Sequence, residues 1–174
     1  VINNESDRMT RLVKDLLVLS RLDYSKKGIK KEKFDISHLV ESVVSKQSIN
    51  AKAAHLTLTY EPLSKELYFK GDKDALEQVL VNIISNAVKY TPSEGKIYVT
   101  SGRMYDSVYI KLTDNGIGIP KEDLPHIFER FYRVDKARSR EKGGTGLGLA
   151  ISHDIIAAHG GSIKIDSVYG AGTE

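Results

Sequence analysis

Two asparagines and a lysine on one predicted helix, followed by two glycine-rich loops, constrain this chain more than any other feature. Asn82 and Asn86 are four residues apart, so their amides share one helix face, and Lys89 lies near that face. The loops read Asp114-Asn-Gly-Ile-Gly and, further along, Gly143-Gly-Thr-Gly-Leu-Gly-Leu. Mg²⁺ prefers oxygen ligands and is usually held by one or two protein groups plus substrate phosphates. The combination indicates a Mg²⁺–polyphosphate site in which Asn82 and Asn86 are the metal ligands.

Composition limits the other possibilities. The 174 residues are 40% hydrophobic and 28% charged, which is typical of a globular domain with an appendage. No apolar run approaches the roughly 18–20 residues that cross a bilayer, so we expect no direct membrane contact. The net charge of +3 is too small to argue for nucleic acid binding, and the absence of cysteine suits a reducing cytoplasm.

Hydrophobic periodicity predicts an α+β fold, a two-layer sandwich in which helices cover one face of a mixed β-sheet. We predict that Ser37 caps the first helix of this domain, and that Leu76, Val79, Leu80 and Ile83 face inward from the asparagine helix. The predicted helices cover residues 37–54, 73–90 and 147–159, and the predicted strands cover residues 34–36, 56–60, 67–69, 96–101, 108–113 and 163–166.

The N-terminal segment has a heptad-like apolar pattern. Ile2, Met9, Leu12, Leu16 and Leu19 recur at intervals of seven, three, four and three. The pattern is compatible with an amphipathic helix packed on its own domain or with one helix of a four-helix-bundle dimer. We predict a helix over residues 1–24, a linker over 25–33 and the main domain over 34–174. The chain begins inside a helical pattern and stops where a final strand is expected, which indicates a piece of a longer protein.

Asp114 is predicted to read a purine base. A carboxylate at the end of a strand, followed by the flexible Gly116 and Gly118, accepts a hydrogen bond from an exocyclic amine and disfavours a carbonyl at the same place. Ile119 and Pro120 would form an apolar wall beside the base. The alternative is that Asp-Asn-Gly is simply a turn.

The second glycine run is predicted to bind phosphate. Its backbone amides precede a helix, whose N-terminus adds positive potential. A Rossmann fingerprint would follow a strand, whereas this run follows a charged stretch, and the Gly-Lys-Ser/Thr of a Walker A motif is missing. A flexible glycine-rich helix start is the remaining alternative.

The order of these motifs resembles the N, G1, F and G2 boxes in the catalytic ATP-binding domain of two-component sensor histidine kinases. The resemblance covers residues 74–173, and residues 1–24 look like the second helix of the preceding dimerisation domain. Phe128-Glu-Arg-Phe-Tyr-Arg-Val-Asp135 is similar to the F box of PhoR-like and WalK-like kinases.

The resemblance implies a Bergerat ATP-binding fold with ATP and Mg²⁺ as cofactors, and a lid over ATP between residues 133 and 146. It implies partners as well: the protein's own dimerisation domain in a homodimer, and the receiver domain of a response regulator. The parent protein is expected to be a membrane-bound sensor with this part in the cytoplasm. The implied catalytic residues are Asn82, Lys89 and Arg133. The implied nucleotide contacts are Asn86, Tyr90, Asp114, Gly116, Gly118, Ile119, Phe131, Gly144, Thr145, Gly146, Leu147, Gly148 and Thr173.

One position indicates the reaction type. Relatives that hydrolyse ATP, such as gyrase B and MutL, carry Glu four residues before the metal-binding Asn, and that Glu is a general base for water. The matching residue here is Asn82, whose amide does not accept a proton at neutral pH, so phosphoryl transfer to a histidine is favoured. Two alternatives remain: an ATP-driven conformational machine of the gyrase kind, and a nucleotide-binding module or anti-sigma-type serine kinase.

None of the chain's own histidines matches the family's phosphoacceptor pattern, in which an acidic residue follows the His and Pro comes five positions after it. His153 precedes Asp154, but Ala158 takes the place of Pro. The other four histidines, which lack the acidic neighbour, are His38, His55, His126 and His159.

Overall fold

The computed structural model describes residues 2–24, 30–134 and 144–174. Residues 25–29 of the predicted linker and 135–143 of the predicted lid lie outside the described residues. The helices are α1 (Ile2–Tyr24), α2 (Ile36–Ala53), α3 (Lys73–Tyr90) and α4 (Gly148–Ala158), with a 3₁₀ turn at Leu124–His126. The strands are β1 (Glu32–Asp35), β2 (Thr57–Pro62), β3 (Tyr68–Gly71), β4 (Lys96–Met104), β5 (Ser107–Asp114), β6 (Ser167–Val168) and β7 (Gly172–Thr173).

The main sheet has five strands in the order β2-β4-β5-β7-β6. β2 runs parallel to β4, and the other neighbours are antiparallel, so the sheet is mixed. A separate antiparallel pair joins β1 to β3, with Phe34 opposite Phe69. The predicted α+β class and the mixed sheet packed against helices are confirmed.

The core lies between the sheet and helices α2, α3 and α4. The inward faces of α2 and α4 are fully buried, as are Ile97 and Val99 from β4. On α3, Leu76, Val79 and Leu80 are buried as predicted. Ile83 is only half-buried and the adjacent Ile84 is 1% exposed, because the helix contacts α4 as well as α2 and so turns a wider face inward. Ile83 packs against the core as predicted, and Ile84 adds to the buried face.

The helix starts are fixed by aspartates. Asp35 accepts a hydrogen bond of 2.9 Å from the Ser37 amide, so Asp35 and not Ser37 caps α2. The strand predicted over residues 34–36 begins earlier, because β1 pairs with β3 from Glu32 onward, and so the linker predicted over 25–33 ends earlier too. The strand also ends one residue earlier, because Ile36 already belongs to the helix. Asp72 caps α3 through the Ala75 amide at 3.0 Å, and this start agrees with the prediction.

The predicted strand at residues 163–166 is wrong. Ile163 and Ile165 are half-buried and their neighbours exposed, so the alternation is real, but hydrogen bonding to a neighbouring strand begins only at Asp166. The paired strands in this region are the short β6 and β7. β7 then joins β5 where Thr173 lies opposite Asp114, which is the position of the expected final strand.

Helix α1 has two adjacent apolar stripes. Leu19 is 4% exposed and Leu12 and Val18 pack against the same core, so one stripe faces the domain through α4. The other stripe is exposed, with Met9 66% accessible. Its members are Met9, Val13, Leu16 and Leu17. Among the described residues, none of the helices has the length and apolarity required to span a bilayer.

His159 joins the start of α3 to the end of α4. Its Nε2 accepts from the Asp72 amide at 2.9 Å, and its Nδ1 lies 2.8 Å from the Ile155 carbonyl oxygen. A carbonyl oxygen only accepts, so Nδ1 carries the proton and the neutral ring uses both nitrogens. The ring also contacts Phe69, with the centroids 6.2 Å apart.

We expect His159→Ala to lower the free energy of unfolding by about 1–3 kcal/mol, since the Asp72 amide loses its partner and the ring contact is removed. Urea denaturation of the two proteins measures the difference. His38→Ala, at an exposed position on α2, is the matched control and should change stability by less than about 0.5 kcal/mol. Equal effects of the two substitutions would contradict a role for His159 in joining the helices.

Candidate nucleotide-binding site

A wide cleft lies between α3, the end of β5 and the start of α4. Thirteen of the predicted site residues line it, including all three predicted catalytic side chains. They are Asn82, Asn86, Lys89, Tyr90, Asp114, Gly118, Ile119, Arg133, Gly144, Thr145, Gly146, Gly148 and Thr173. The structure thus brings together residues that are up to 91 positions apart in the sequence, between Asn82 and Thr173.

Asp114 is the last residue of β5, as predicted. Its carboxylate accepts a hydrogen bond of 2.8 Å from the Gly116 amide. Burial raises the pKa of Asp114 above its ordinary value, and the Gly116 and Thr173 backbone amides oppose this by stabilising the charged form. A partly buried carboxylate with a held orientation is suited to accept a hydrogen bond from a ligand amine.

Glycine is required at both flexible positions after Asp114. A Cβ on Gly116 would lie 2.7 Å from the Asp114 carboxylate oxygen and 2.9 Å from the Tyr90 carbonyl oxygen. Gly118 has φ +68°, and a Cβ there would lie 2.2 Å from the Val168 carbonyl oxygen. Gly116 does not line the cleft. Its backbone amide orients the Asp114 carboxylate, which does.

Asn82 connects α3 to α4. Its Nδ2 donates to the Gly148 carbonyl oxygen at 3.1 Å and lies 3.4 Å from the Ser152 hydroxyl oxygen. Ser152 is fully buried and donates to the same carbonyl at 2.8 Å. The amide nitrogen of Asn82 is therefore occupied by the protein, and only its oxygen remains for a ligand.

The two asparagines fit a magnesium ion that takes most of its ligands from elsewhere. Within the part of the chain that the structure describes, no hydrogen bond involves the side-chain amide of Asn86, and no group of three or more His, Cys, Asp or Glu side chains forms a metal site. Neutral amide oxygens without a carboxylate cluster hold Mg²⁺ weakly on their own, so an ion here would need further oxygen ligands, such as those of phosphate.

The glycine loop ends at the N-terminus of α4. The first intrahelical bond runs from the Ile151 amide to the Leu147 carbonyl at 2.9 Å, and no side chain caps the helix. The amides of Gly148, Leu149 and Ala150 precede that bond and point toward the N-terminal end, where they favour anions. Leu147 is fully buried and does not line the cleft, and its amide and carbonyl are hydrogen-bonded to Thr145 and Ile151.

The aromatic segment before residue 135 is tied to this loop. The Phe131 amide donates to the Gly146 carbonyl at 2.8 Å, and Arg130 pairs with Asp154 of α4 at 3.3 Å. Phe131 has φ +67° and is 58% exposed, so it does not line the cleft in this structure. Arg133, two residues later, does. The Lys89 ammonium lies 5.1 Å from the centre of the Tyr90 ring, within cation–π distance.

Three polar residues at the cleft were missed by the sequence analysis. Asp15 of α1 accepts a hydrogen bond of 2.9 Å from the Thr145 hydroxyl. Burial raises the pKa of Asp15, although this hydrogen bond and the positive charge of Arg11 act in the opposite direction. Thr91 has a buried hydroxyl without a hydrogen-bond partner among the described residues, close to Gly116 and Asp114. Ser167 contacts Thr173 and Ile119. No local pattern marks any of the three, since each is recognised only by its contacts with distant residues.

Comparison with known proteins identifies the class. Residues 71–174 match the family described as histidine kinase-, DNA gyrase B-, and HSP90-like ATPase, and the chain belongs to that family. It is 43% identical over 175 residues to the sensor histidine kinase WalK of Bacillus subtilis strain 168. The match covers 99% of this chain and 28% of the WalK sequence, so the chain spans less than a third of that relative.

Solved structures of histidine kinases have the same fold. Full-length ShkA in complex with AMPPNP superposes with a TM-score of 0.83 at 28% identity, over 97% of this chain and 35% of that one. The histidine kinase ThkA in complex with the response regulator protein TrrA gives a TM-score of 0.76 at 28% identity, over 99% and 47%. The resemblance to sensor histidine kinases is confirmed.

The free energy of unfolding of Asp114→Asn, relative to that of wild type, should increase as the pH rises. Because the pKa of Asp114 is raised in the folded state, the folded wild-type protein holds the carboxyl proton more tightly than the unfolded chain does. This contribution to the stability of wild type is fully present below the unfolded pKa of 3.8 and is lost as the pH rises through the folded pKa. The amide does not titrate. We expect the difference in free energy of unfolding to grow upward from pH 3.8 and then level off.

Urea denaturation at steps between pH 4 and 7 measures this difference. Asp106→Asn, which removes an exposed carboxylate in the β4–β5 turn, controls for the loss of one negative charge. A difference that shrinks with increasing pH would contradict the assignment of burial as the dominant influence on Asp114.

Proposed function

We propose that this chain binds Mg-ATP and transfers the γ-phosphoryl group to a histidine on a dimerisation domain of the same protein, which then phosphorylates an aspartate of a response regulator. The observation that carries the proposal is the held carboxylate of Asp114 in a cleft opposite the asparagine face of α3 and the uncapped start of α4. These three elements supply base, metal and phosphate recognition together.

The base is recognised at the end of β5. The Asp114 carboxylate accepts from the 6-amino group of adenine, and the Gly116 amide keeps it oriented. A 6-oxo purine would place a second acceptor against the carboxylate, which leaves a charge unpaired and costs affinity. Ile119 lines the same cleft and offers an apolar contact to the ring.

The phosphates are held at the start of α4. Gly144, Thr145 and Gly146 line the cleft, and the free first-turn amides face the same end. Lys89 and Arg133 line it too and supply positive charge. ShkA is described in complex with AMPPNP, an analogue of ATP, and this supports a nucleoside triphosphate as the ligand.

Magnesium fits the asparagine face. Asn86 and the free oxygen of Asn82 would hold the ion together with phosphate oxygens, and the ion would neutralise charge on the transferring group. Asn82 also has a role that requires no ligand. Its amide nitrogen donates to the Gly148 carbonyl and so fixes the phosphate loop relative to α3.

Transfer rather than hydrolysis follows from the residue at position 82. The side-chain amide of Asn82 is too weak a base to take a proton from water at neutral pH. The bond between the γ-phosphorus and the bridging oxygen breaks, ADP leaves with that oxygen, and the phosphorus bonds to an imidazole nitrogen. A neutral imidazole is already nucleophilic, so the chain needs only to position the reactants and stabilise charge.

The partners follow from α1 and from the relatives. The exposed stripe of Met9, Val13 and Leu16 has the four- and three-residue spacing of a coiled-coil seam, which supports association with a second copy in a four-helix bundle. On this basis residues 1–24 belong to the dimerisation domain and 34–174 form the catalytic domain. The complex of ThkA with TrrA supports a response regulator as the phosphoryl acceptor.

ATP binding should depend on Mg²⁺ and be weakened about 10- to 150-fold by Asp114→Asn, because a hydrogen bond to a charged group contributes about 1.5–3 kcal/mol. Asn86→Asp should also weaken binding strongly, since it adds charge and alters the metal site. Isothermal titration measures both, with Asp74→Asn, at an exposed position on α3 that does not line the cleft, as the control of unchanged affinity. Wild-type-like titration by Asp114→Asn would remove Asp114 from the adenine role.

The chain alone should bind ATP without forming a stable phosphohistidine, and it should slowly phosphorylate a separately supplied dimerisation domain that carries the acceptor histidine. Incubation with γ-labelled ATP, followed by acid treatment, measures both. A dimerisation domain whose acceptor histidine is replaced by alanine is the control. Acid-labile label on the chain itself would mean that the acceptor is misplaced, and binding without transfer would favour a nucleotide-binding module.

A further inference from the structure

The hydroxyl of Ser167 is a junction between three segments at the edge of the cleft. It lies 2.8 Å from the Ile119 amide nitrogen, 2.9 Å from the Gly172 carbonyl oxygen and 2.9 Å from the Thr173 hydroxyl oxygen. Ser167 begins β6 and is half-buried. One side-chain oxygen therefore holds the loop after Asp114 against strand β7.

The positions of the protons at this junction follow from the partners. An amide only donates and a carbonyl oxygen only accepts, so Ser167 accepts from Ile119 and gives its single proton to Gly172. The contact with Thr173 is then a hydrogen bond only if the Thr173 hydroxyl donates to Ser167. The proton of Thr173 is thereby committed, and its oxygen has only lone pairs left for any other partner.

Thr173 lies beside the predicted adenine reader. It is opposite Asp114 in the β5–β7 pairing, and both residues line the cleft. The cleft edge next to Ile119 therefore presents two acceptors, the Asp114 carboxylate and the Thr173 hydroxyl oxygen, and the Thr173 backbone amide is already used by the carboxylate.

We propose that Ser167 is a positioning residue that keeps Thr173 a hydrogen-bond acceptor and so strengthens the selection of a 6-amino purine over a 6-oxo purine. The inference rests on the proposed ATP-binding function. A hydroxyl that is free to rotate donates or accepts and so tolerates either purine. A hydroxyl whose proton is committed to Ser167 favours the amine, which donates, and disfavours the carbonyl, which accepts.

The test compares ATP with inosine triphosphate, which carries a 6-oxo group and no 2-amino group. Their dissociation constants are measured by isothermal titration for the full chain and its variants, in Mg²⁺. Ser167→Ala should lower the preference for ATP by about 3- to 10-fold, the range expected for one neutral hydrogen bond. A purely structural role would weaken both nucleotides equally and leave their ratio unchanged.

A double-mutant cycle with Thr173→Val isolates the mechanism, because valine keeps the shape and the backbone amide but has no hydroxyl. Ser167→Ala should change the ratio in the wild-type background and not in the Thr173→Val background. Ser167→Thr should restore the wild-type ratio, and Ser93→Ala, at an exposed turn, should leave it unchanged. An equal change of ratio in both backgrounds would overturn the proposal.

Two outcomes separate this inference from the proposed function. If wild type fails to bind ATP, or if Asp114→Asn binds as wild type does, the proposed function fails. If Asp114→Asn loses affinity but Ser167→Ala keeps the wild-type ratio, only the role of Ser167 fails. Thr173→Val alone gives an answer even if Ser167→Ala is poorly folded, since an unchanged ratio in that variant would overturn the proposal.

Discussion

The hydrogen bond from the Asn82 amide to the first residue of α4 fixes the geometry on which the rest of the cleft depends. It joins the helix that carries Asn86 and Lys89 to the loop that faces them, and the buried hydroxyl of Ser152 shares the same carbonyl of Gly148. Buried polar groups are costly unless all of them are paired, so this arrangement is strongly determined. The start of α4 is therefore held at a set distance from the face of α3 that carries the two asparagines.

The parts of the site that could be predicted from sequence are those that local patterns specify. The four-residue spacing of Asn82 and Asn86 is enough to place both amides on one face, and the predicted strand over residues 108–113 is enough to place Asp114 at its end. The glycine run before α4 likewise predicts a loop that leads into a helix, here from its glycine content. The asparagine pair depends on the helical period of 3.6 residues, which determines side-chain direction without reference to the rest of the chain.

The remaining features depend on partners that are distant in sequence. The alternation of Ile163 and Ile165 gave a strand prediction that the hydrogen bonds do not support, because pairing requires a neighbour as well as a pattern. Ser37 was predicted to cap α2, but the pairing of β1 with β3 extends to Asp35. Asp35 therefore stands directly before the first helical residue and caps the helix. The role of Ser167 comes from contacts with Ile119 and Thr173, and no spacing along the chain encodes them.

The contact between Asp15 and Thr145 has a thermodynamic consequence for the whole chain. The carboxylate of α1 shares a hydroxyl with the loop where an anion is expected, and ionising that partly buried carboxyl is already costly, as its raised pKa shows. An anion bound at Thr145 would add a second negative charge to the same place, so anion binding and docking of α1 would disfavour each other. Linkage makes the effect reciprocal: the factor by which a docked α1 weakens anion binding is the factor by which a bound anion weakens the docking of α1.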